Sequence, residues 1–153
     1  MTEPEIELTR IGPRVLVAPM VAAPGVEMLL GMFRDEQFGP VVVLGFGGVH
    51  VESRAGVVYA LPPFDVSEAR RLVDRLKLRS LLDSTRHGRA PAIDDFCAAA
   101  ARFSAVVAGL GDTVGEIDLN PVIVHADGCT IVDALIIGRQ GAAADRPNMR
   151  QAV

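Results

Sequence analysis

Short apolar runs with two different periods alternate along this chain, and the period decides the element each one predicts. Val15-Leu16-Val17 and Val26 through Met32 read as strands, separated by Ala22-Ala23-Pro24-Gly25. Val41-Val42-Val43-Leu44 is a continuous apolar run of strand length, which suits burial on both faces, and it leads into Gly45-Phe46-Gly47-Gly48. Val49-His50-Val51-Glu52 and Val57 to Leu61 follow as strand candidates around a Ser53-Arg54-Ala55-Gly56 turn. Four or five strands thus precede any helix. Residues 1–13 are polar, end in Gly12-Pro13, and are expected to form a flexible leading segment.

The period then changes. Asp65 is placed to cap a helix, with Glu68 three residues on to complete a capping box. Val66, Ala69, Leu72, Val73 and Leu76 recur at helical spacing, while Arg70, Arg71, Asp74 and Arg75 face outward. A charged connector, Arg79 to Pro91, leads to a second helix whose Ile93, Phe96, Cys97, Ala100, Phe103, Val107 and Leu110 share a face, ended by Gly109 and Gly111. Two strands close the pattern, Val114 to His125 and Cys129 to Ile137, joined by a tight Ala126-Asp127-Gly128 turn. The Ala/Arg/Gln-rich residues 138–153 have little to bury and are expected to be loose.

Composition narrows the classes. The 153 residues are 50% hydrophobic and 22% charged, which describes one globular domain able to hold a core without disulfide or structural metal. A formal charge of −4, no Trp and one Tyr leave neither a basic stripe nor stacking platforms, which argues against a nucleic-acid partner. Cys97 and Cys129 form no Cys-x-x-Cys, the first residues are acidic, and no apolar run is long enough to span a bilayer, so the reading is a cytoplasmic protein off the membrane. Fourteen of the fifteen basic residues are Arg and only Lys77 is Lys, so phosphate chemistry here must rest on Arg, backbone amides or metal.

Gly115-Glu116-Ile117-Asp118-Leu119-Asn120-Pro121 and Ile131-Val132-Asp133 are the most informative stretch. Strand alternation puts Glu116, Asp118 and Asn120 on one face within about 14 Å, opposite Ile117 and Leu119. A turn centred on Ala126-Asp127 pairs residue 120 directly with residue 133, and one centred on Asp127-Gly128 makes them diagonal neighbours. Carboxylates and an amide oxygen on one face suit magnesium, whose shell is usually completed by nucleotide phosphates. The plainer reading of the same residues is a solvated acidic strand face.

Four stretches occur in order along the chain: Gly25-Val26-Glu27, Arg34-Asp35-Glu36-Gln37-Phe38-Gly39-Pro40, Gly45-Phe46-Gly47-Gly48-Val49-His50-Val51-Glu52 and Glu116-Ile117-Asp118-Leu119-Asn120-Pro121-Val122. Together they resemble the ATP-grasp segment of NDP-forming acyl-CoA synthetases, relatives of succinyl-CoA synthetase, over residues 14–137. The resemblance implies an α+β fold: the C-terminal ATP-grasp lobe, a mostly antiparallel sheet backed by two main helices. It also implies binding of Mg2+ and ATP against a first lobe absent from this chain, and a CoA-binding subunit or domain as partner. The activity it implies joins a carboxylic acid to CoA with ATP going to ADP and phosphate, through acyl phosphate and a phosphohistidine. By that resemblance Asn120 and Asp133 match magnesium ligands, and Asp118 the acidic residue beside the phosphate-transfer centre. Glu116 matches a nucleotide-contacting position, and Glu52 and Arg34 match further residues of the reaction centre.

Other features pull in other directions. Ala18 and Ala60 stand where relatives often carry Gln and Arg. With the missing lobe, these departures keep open a non-catalytic module that retains the fold for interaction or nucleotide sensing. Gly47 and Gly48 are candidates to cradle phosphate, or simply a tight strand connection, and no Walker motif follows them. His50, His87 and His125 read as solvent-facing, and Arg79, Arg86 and Arg89 as solvation, although Arg86 matches a family Arg. A lobe without its cover is also expected to expose apolar surface and to be open to self-association.

Overall fold

The computed structural model describes residues 6–11, 14–21, 25–47, 56–76 and 91–139. Glu52, Gly48, His50, His87, Arg79, Arg86, Arg89, the proposed strand 49–52 and residues 140–153 lie outside them.

Among the described residues five strands come before the first helix: β1 (Ile6–Ile11), which was not expected, and β2 (Arg14–Pro19), β3 (Val26–Asp35), β4 (Gly39–Phe46) and β5 (Val57–Ala60), which match four of the expected runs. Helices α1 (Val66–Asp74) and α2 (Ile93–Gly109) follow, then β6 (Val114–His125), β7 (Gly128–Ile131) and β8 (Leu135–Gly138). β1 and β2 form a separate antiparallel ribbon. The leading segment is therefore not featureless. Ile6 and Leu8 alternate with Glu7 and Thr9 in β1, a short period that the charged neighbours hide.

The main sheet runs β5-β4-β3-β6-β7, with β8 also on β6, all antiparallel. Its two faces differ because side chains alternate. Met28, Leu30 and Met32 of β3 and Val42, Leu44 and Phe46 of β4 point to the face covered by the helices, where all six are buried. Ala69, Leu72 and Val73 of α1 and Ile93, Phe96, Cys97, Ala100 and Val107 of α2 close that core. Cys97 is buried and free, and burial pushes its thiol up. Among the described residues no helix is long and apolar enough to cross a membrane.

One local expectation changes, and one buried polar group is new. Asp65 caps α1 by accepting from the Glu68 amide at 2.8 Å, but the Glu68 carboxylate turns to Arg71 at 2.5 Å. The ion pair three residues along competes with the return leg of the capping box. Ser104 is a buried polar side chain that apolar periodicity does not show: its hydroxyl accepts from the Phe64 amide at 3.1 Å and lies 2.8 Å from the Ala101 carbonyl.

The cap yields a pH-dependent prediction. The Glu68 amide, and then the Ser67 hydroxyl, hold the Asp65 carboxyl below the usual carboxylate range. Its stabilisation is therefore complete at pH above that range and fades as pH falls through the lowered value. Asp65→Ala should melt at lower temperature than the parent near neutrality, and the two melting curves should converge in acid.

Candidate functional site

The open face of the sheet, opposite the helices, carries the candidate chemistry. Across the ladders, Tyr59 faces Val43, Val43 faces Gly31, Gly31 faces Asp118, and Asp118 faces Leu135. In the next row Phe33 pairs with Glu116, and Glu116 with Ile137. Glu116 is exposed and Asp118 half-buried, while Ile117 and Leu119 between them are buried on the helix side. The strand-parity reading of Glu116, Asp118 and Asn120 is therefore the observed one.

Between Leu119 and Val122 the alternation slips. Leu30 pairs with Leu119 but Met28 with Val122, so β6 spends three residues where β3 spends two. The extra residue is a β-bulge at Asn120-Pro121, and both this peptide and Pro62-Pro63 are cis. Proline, which has no N–H for a ladder, fits such a position. Beyond the bulge, Val122 and Val124 return to the core.

Asp133 lies across from the bulge. His125 pairs with Gly128 and Val122 with Ile131, so the turn is centred on Ala126-Asp127. On the far side Asp118 pairs with Leu135 in the same register, which places residue 133 opposite residue 120. The expected second strand is divided there into β7 and β8, and the Val132 amide donates to the Pro121 carbonyl at 3.0 Å. Asp133 is exposed and accepts from the Ala134 amide through one carboxylate oxygen at 2.8 Å, so the other oxygen keeps its capacity to ligate.

The donor set is thus one carboxamide and nearby carboxylates, all hard oxygen ligands. Among the described residues no three His, Cys, Asp or Glu side chains converge as a closed cage. An open set of this kind fits an ion that takes most of its shell from water and phosphate, as magnesium does.

Arg34 does not join this face. It has the parity of Met28, Leu30 and Met32, and its guanidinium is spent on the α2–β6 connection. Nε donates to the Val114 carbonyl at 2.7 Å, Nη2 donates to the Gly111 carbonyl, and Nη1 pairs with Asp112 at 3.1 Å. With the side chain only 14% exposed, this is a staple between β3 and the start of β6. Gly31, which the motif reading passed over, sits directly beside Asp118. A Cβ there would lie 2.9 Å from the Ile117 carbonyl oxygen, so the strands can approach only because it is glycine.

The family profile of the ATP-grasp domain matches residues 8–137. The chain belongs to the ATP-grasp family. Within that family it is similar to the β subunit of acetate–CoA ligase [ADP-forming] II from Pyrococcus furiosus, 36% identical over 126 residues. That match takes in 80% of this chain and 52% of the subunit. It is also 33% identical over 124 residues to 4-hydroxybutyrate–CoA ligase [ADP-forming] from Nitrosopumilus maritimus, covering 80% of this chain and 18% of that ligase. Among solved structures, it superposes on acetyl-coenzyme A synthetase 1 of Ca. Korarchaeum cryptofilum with a TM-score of 0.70 and 36% identity, over 77% of this chain and 55% of that one. That structure holds coenzyme A and Mg-AMPPCP, with a phosphohistidine segment pointing towards the nucleotide site. The chain thus spans about half of these β-subunit-sized relatives.

The staple predicts a stability effect separate from the carboxylate face. Arg34→Met should lower unfolding free energy by about 1.5–3 kcal/mol, the scale of hydrogen bonds made by a charged group. Asn120→Ala and Asp133→Ala, at half-buried and exposed positions, should change it far less in denaturant titrations.

Proposed function

We propose that this chain is the Mg-ATP-binding lobe of an NDP-forming acyl-CoA synthetase, which joins a carboxylic acid to CoA while ATP goes to ADP and phosphate. The observation that carries the reading is the common register on both sides of the β7–β8 break, which sets Asn120 opposite Asp133 beside Asp118. Similarity to ADP-forming CoA ligases supports it.

In this reading Asn120 and Asp133 hold the magnesium ion, which, when bound, offsets charge on the transferring phosphoryl group. Asp118 lies two residues from Asn120 on the same face and accepts hydrogen bonds from the group that approaches the phosphate. Glu116, one further step out, contacts nucleotide or its water. Arg34 keeps β3 and β6 fixed relative to each other, so that the ligands start in place. The missing half of the ATP-grasp unit covers the open face, where Phe33, Tyr59, Leu135 and Ile137 are exposed around the acidic row. The acid and CoA are bound by a further subunit or domain, and the chain alone does not turn over.

The test is reconstitution. This chain is mixed with the first ATP-grasp lobe and the CoA-binding subunit of a related synthetase, and ADP release is measured on addition of carboxylic acids, CoA and Mg-ATP. ADP formation that depends on acid and CoA, lowered at least about 100-fold in an Asn120→Ala, Asp133→Ala double variant, supports the proposal. Equal silence of the parent and the variant would instead favour a module that keeps the fold for interaction or nucleotide sensing.

A further inference from the structure

Gly47 follows directly on β4, and its backbone does not require glycine: the described glycines with positive φ are Gly39, Gly111 and Gly128. Nor is its amide free for phosphate, because it donates to the Glu27 carbonyl at 2.8 Å and so extends the β3–β4 ladder. Both usual reasons for glycine in such a loop are thereby removed. The remaining one is the space a side chain would take. A Cβ on residue 47 would lie 3.2 Å from the Met28 carbonyl oxygen, 3.3 Å from the Met28 carbonyl carbon and 3.3 Å from Asn120 Oδ1.

We infer that Gly47 is a positioning residue for Asn120, its missing side chain being the berth that the Asn120 carboxamide oxygen fills. The inference rests on the magnesium role proposed above for Asn120. β3 lies between β4 and β6, so the carboxamide reaches over β3 to within 3.3 Å of where a residue-47 Cβ would stand. Two of the three contacts belong to the Met28 peptide, which β3 holds in ladders on both sides and which resists displacement more than a side chain does. Asn120 Oδ1 is the one side-chain atom of the three, and a rotamer change moves it aside. On the β3 side the bulge leaves Asn120 no paired residue to fix its rotamer, so the surface its carboxamide rests on there sets the direction of its oxygen. Gly47 therefore acts on the metal through Asn120 and not by touching nucleotide.

The first readout needs no metal and no partner. Asn120 and Asn148 are the two asparagines of the chain, so the Asn120 side-chain amide signals in a 15N spectrum are assigned by their loss in Asn120→Ala. Gly47→Ala should shift them and leave those of Asn148 in place; unchanged Asn120 signals in a folded Gly47→Ala chain overturn the inference. If Gly47→Ala does not fold, Gly47→Ala with Asn120→Ser decides. Recovery of a cooperative melt shows that the clash is with Asn120, and no recovery shows that it is with Met28, which overturns the berth. In the reconstituted synthetase, Gly47→Ala should raise the half-saturating Mg2+ concentration about 10-fold, and add nothing on an Asn120→Ala background. An equal rise on that background also overturns it. A parent enzyme that forms no ADP counts against the proposed function instead, and leaves the amide readout of the free chain to decide the berth.

Discussion

One extra residue in β6 reconciles two demands that a regular strand cannot meet together. A strand with strict alternation that buries Ile117 and Leu119 would bury Ile123 and turn Val122 and Val124 outward. The bulge at Asn120-Pro121 resets the parity, so that both halves of β6 pack on the helices. The same slip frees Asn120 from the ladder and leaves its carboxamide over the open face. Core packing and ligand presentation are therefore one constraint: with Ile117, Leu119, Val122 and Val124 all committed to the core, the mismatch falls at residues 120–121.

The sheet accordingly separates stability from chemistry by face. On the helix side lie the apolar core and, at its margin, the Arg34 contacts that tie β3 to the turn preceding β6. Arg34 and Asp118 lie only a few residues apart across the β3–β6 ladder yet serve opposite faces, because one has even parity on β3 and the other pairs with odd-numbered Gly31. A guanidinium so fully engaged by carbonyls is suited to fixing geometry and not to following a moving phosphate.

What could be read in advance follows from this division. Period-two alternation is local, so Glu116, Asp118 and Asn120 could be placed on one face, and either candidate turn kept residues 120 and 133 together, direct pairing following only once the turn is at Ala126-Asp127. The bulge could not be read, since an insertion of one residue shows only against the partner strand; its single trace was Pro121 inside a strand pattern. Motif similarity alone placed Arg34 at the reaction centre, although the parity it shares with Met28, Leu30 and Met32 points to the helix side. Likewise Gly47 resembled a phosphate cradle until the hydrogen bond of its amide was known. Composition hid β1, because charges next to Ile6 and Leu8 look like a solvated leader.

If the open face is one side of a clamp, as proposed above, its unfinished look has a physical reason. Asp118 and Asn120 are half-buried, and Asp133 and Glu116 are exposed, so their electrostatics are damped by water. Such groups stabilise developing charge strongly only where water is excluded. Around them stand Phe33 and Tyr59, edge to face with ring centroids 6.1 Å apart, together with Leu135 and Ile137, all accessible. An acidic row framed by exposed apolar side chains costs the free chain solubility and gains it nothing, unless a second surface covers the frame and dries the row. The placement of apolar residues beside the acidic row is what the proposed chemistry would need, because a surface laid over this frame would exclude water from the row.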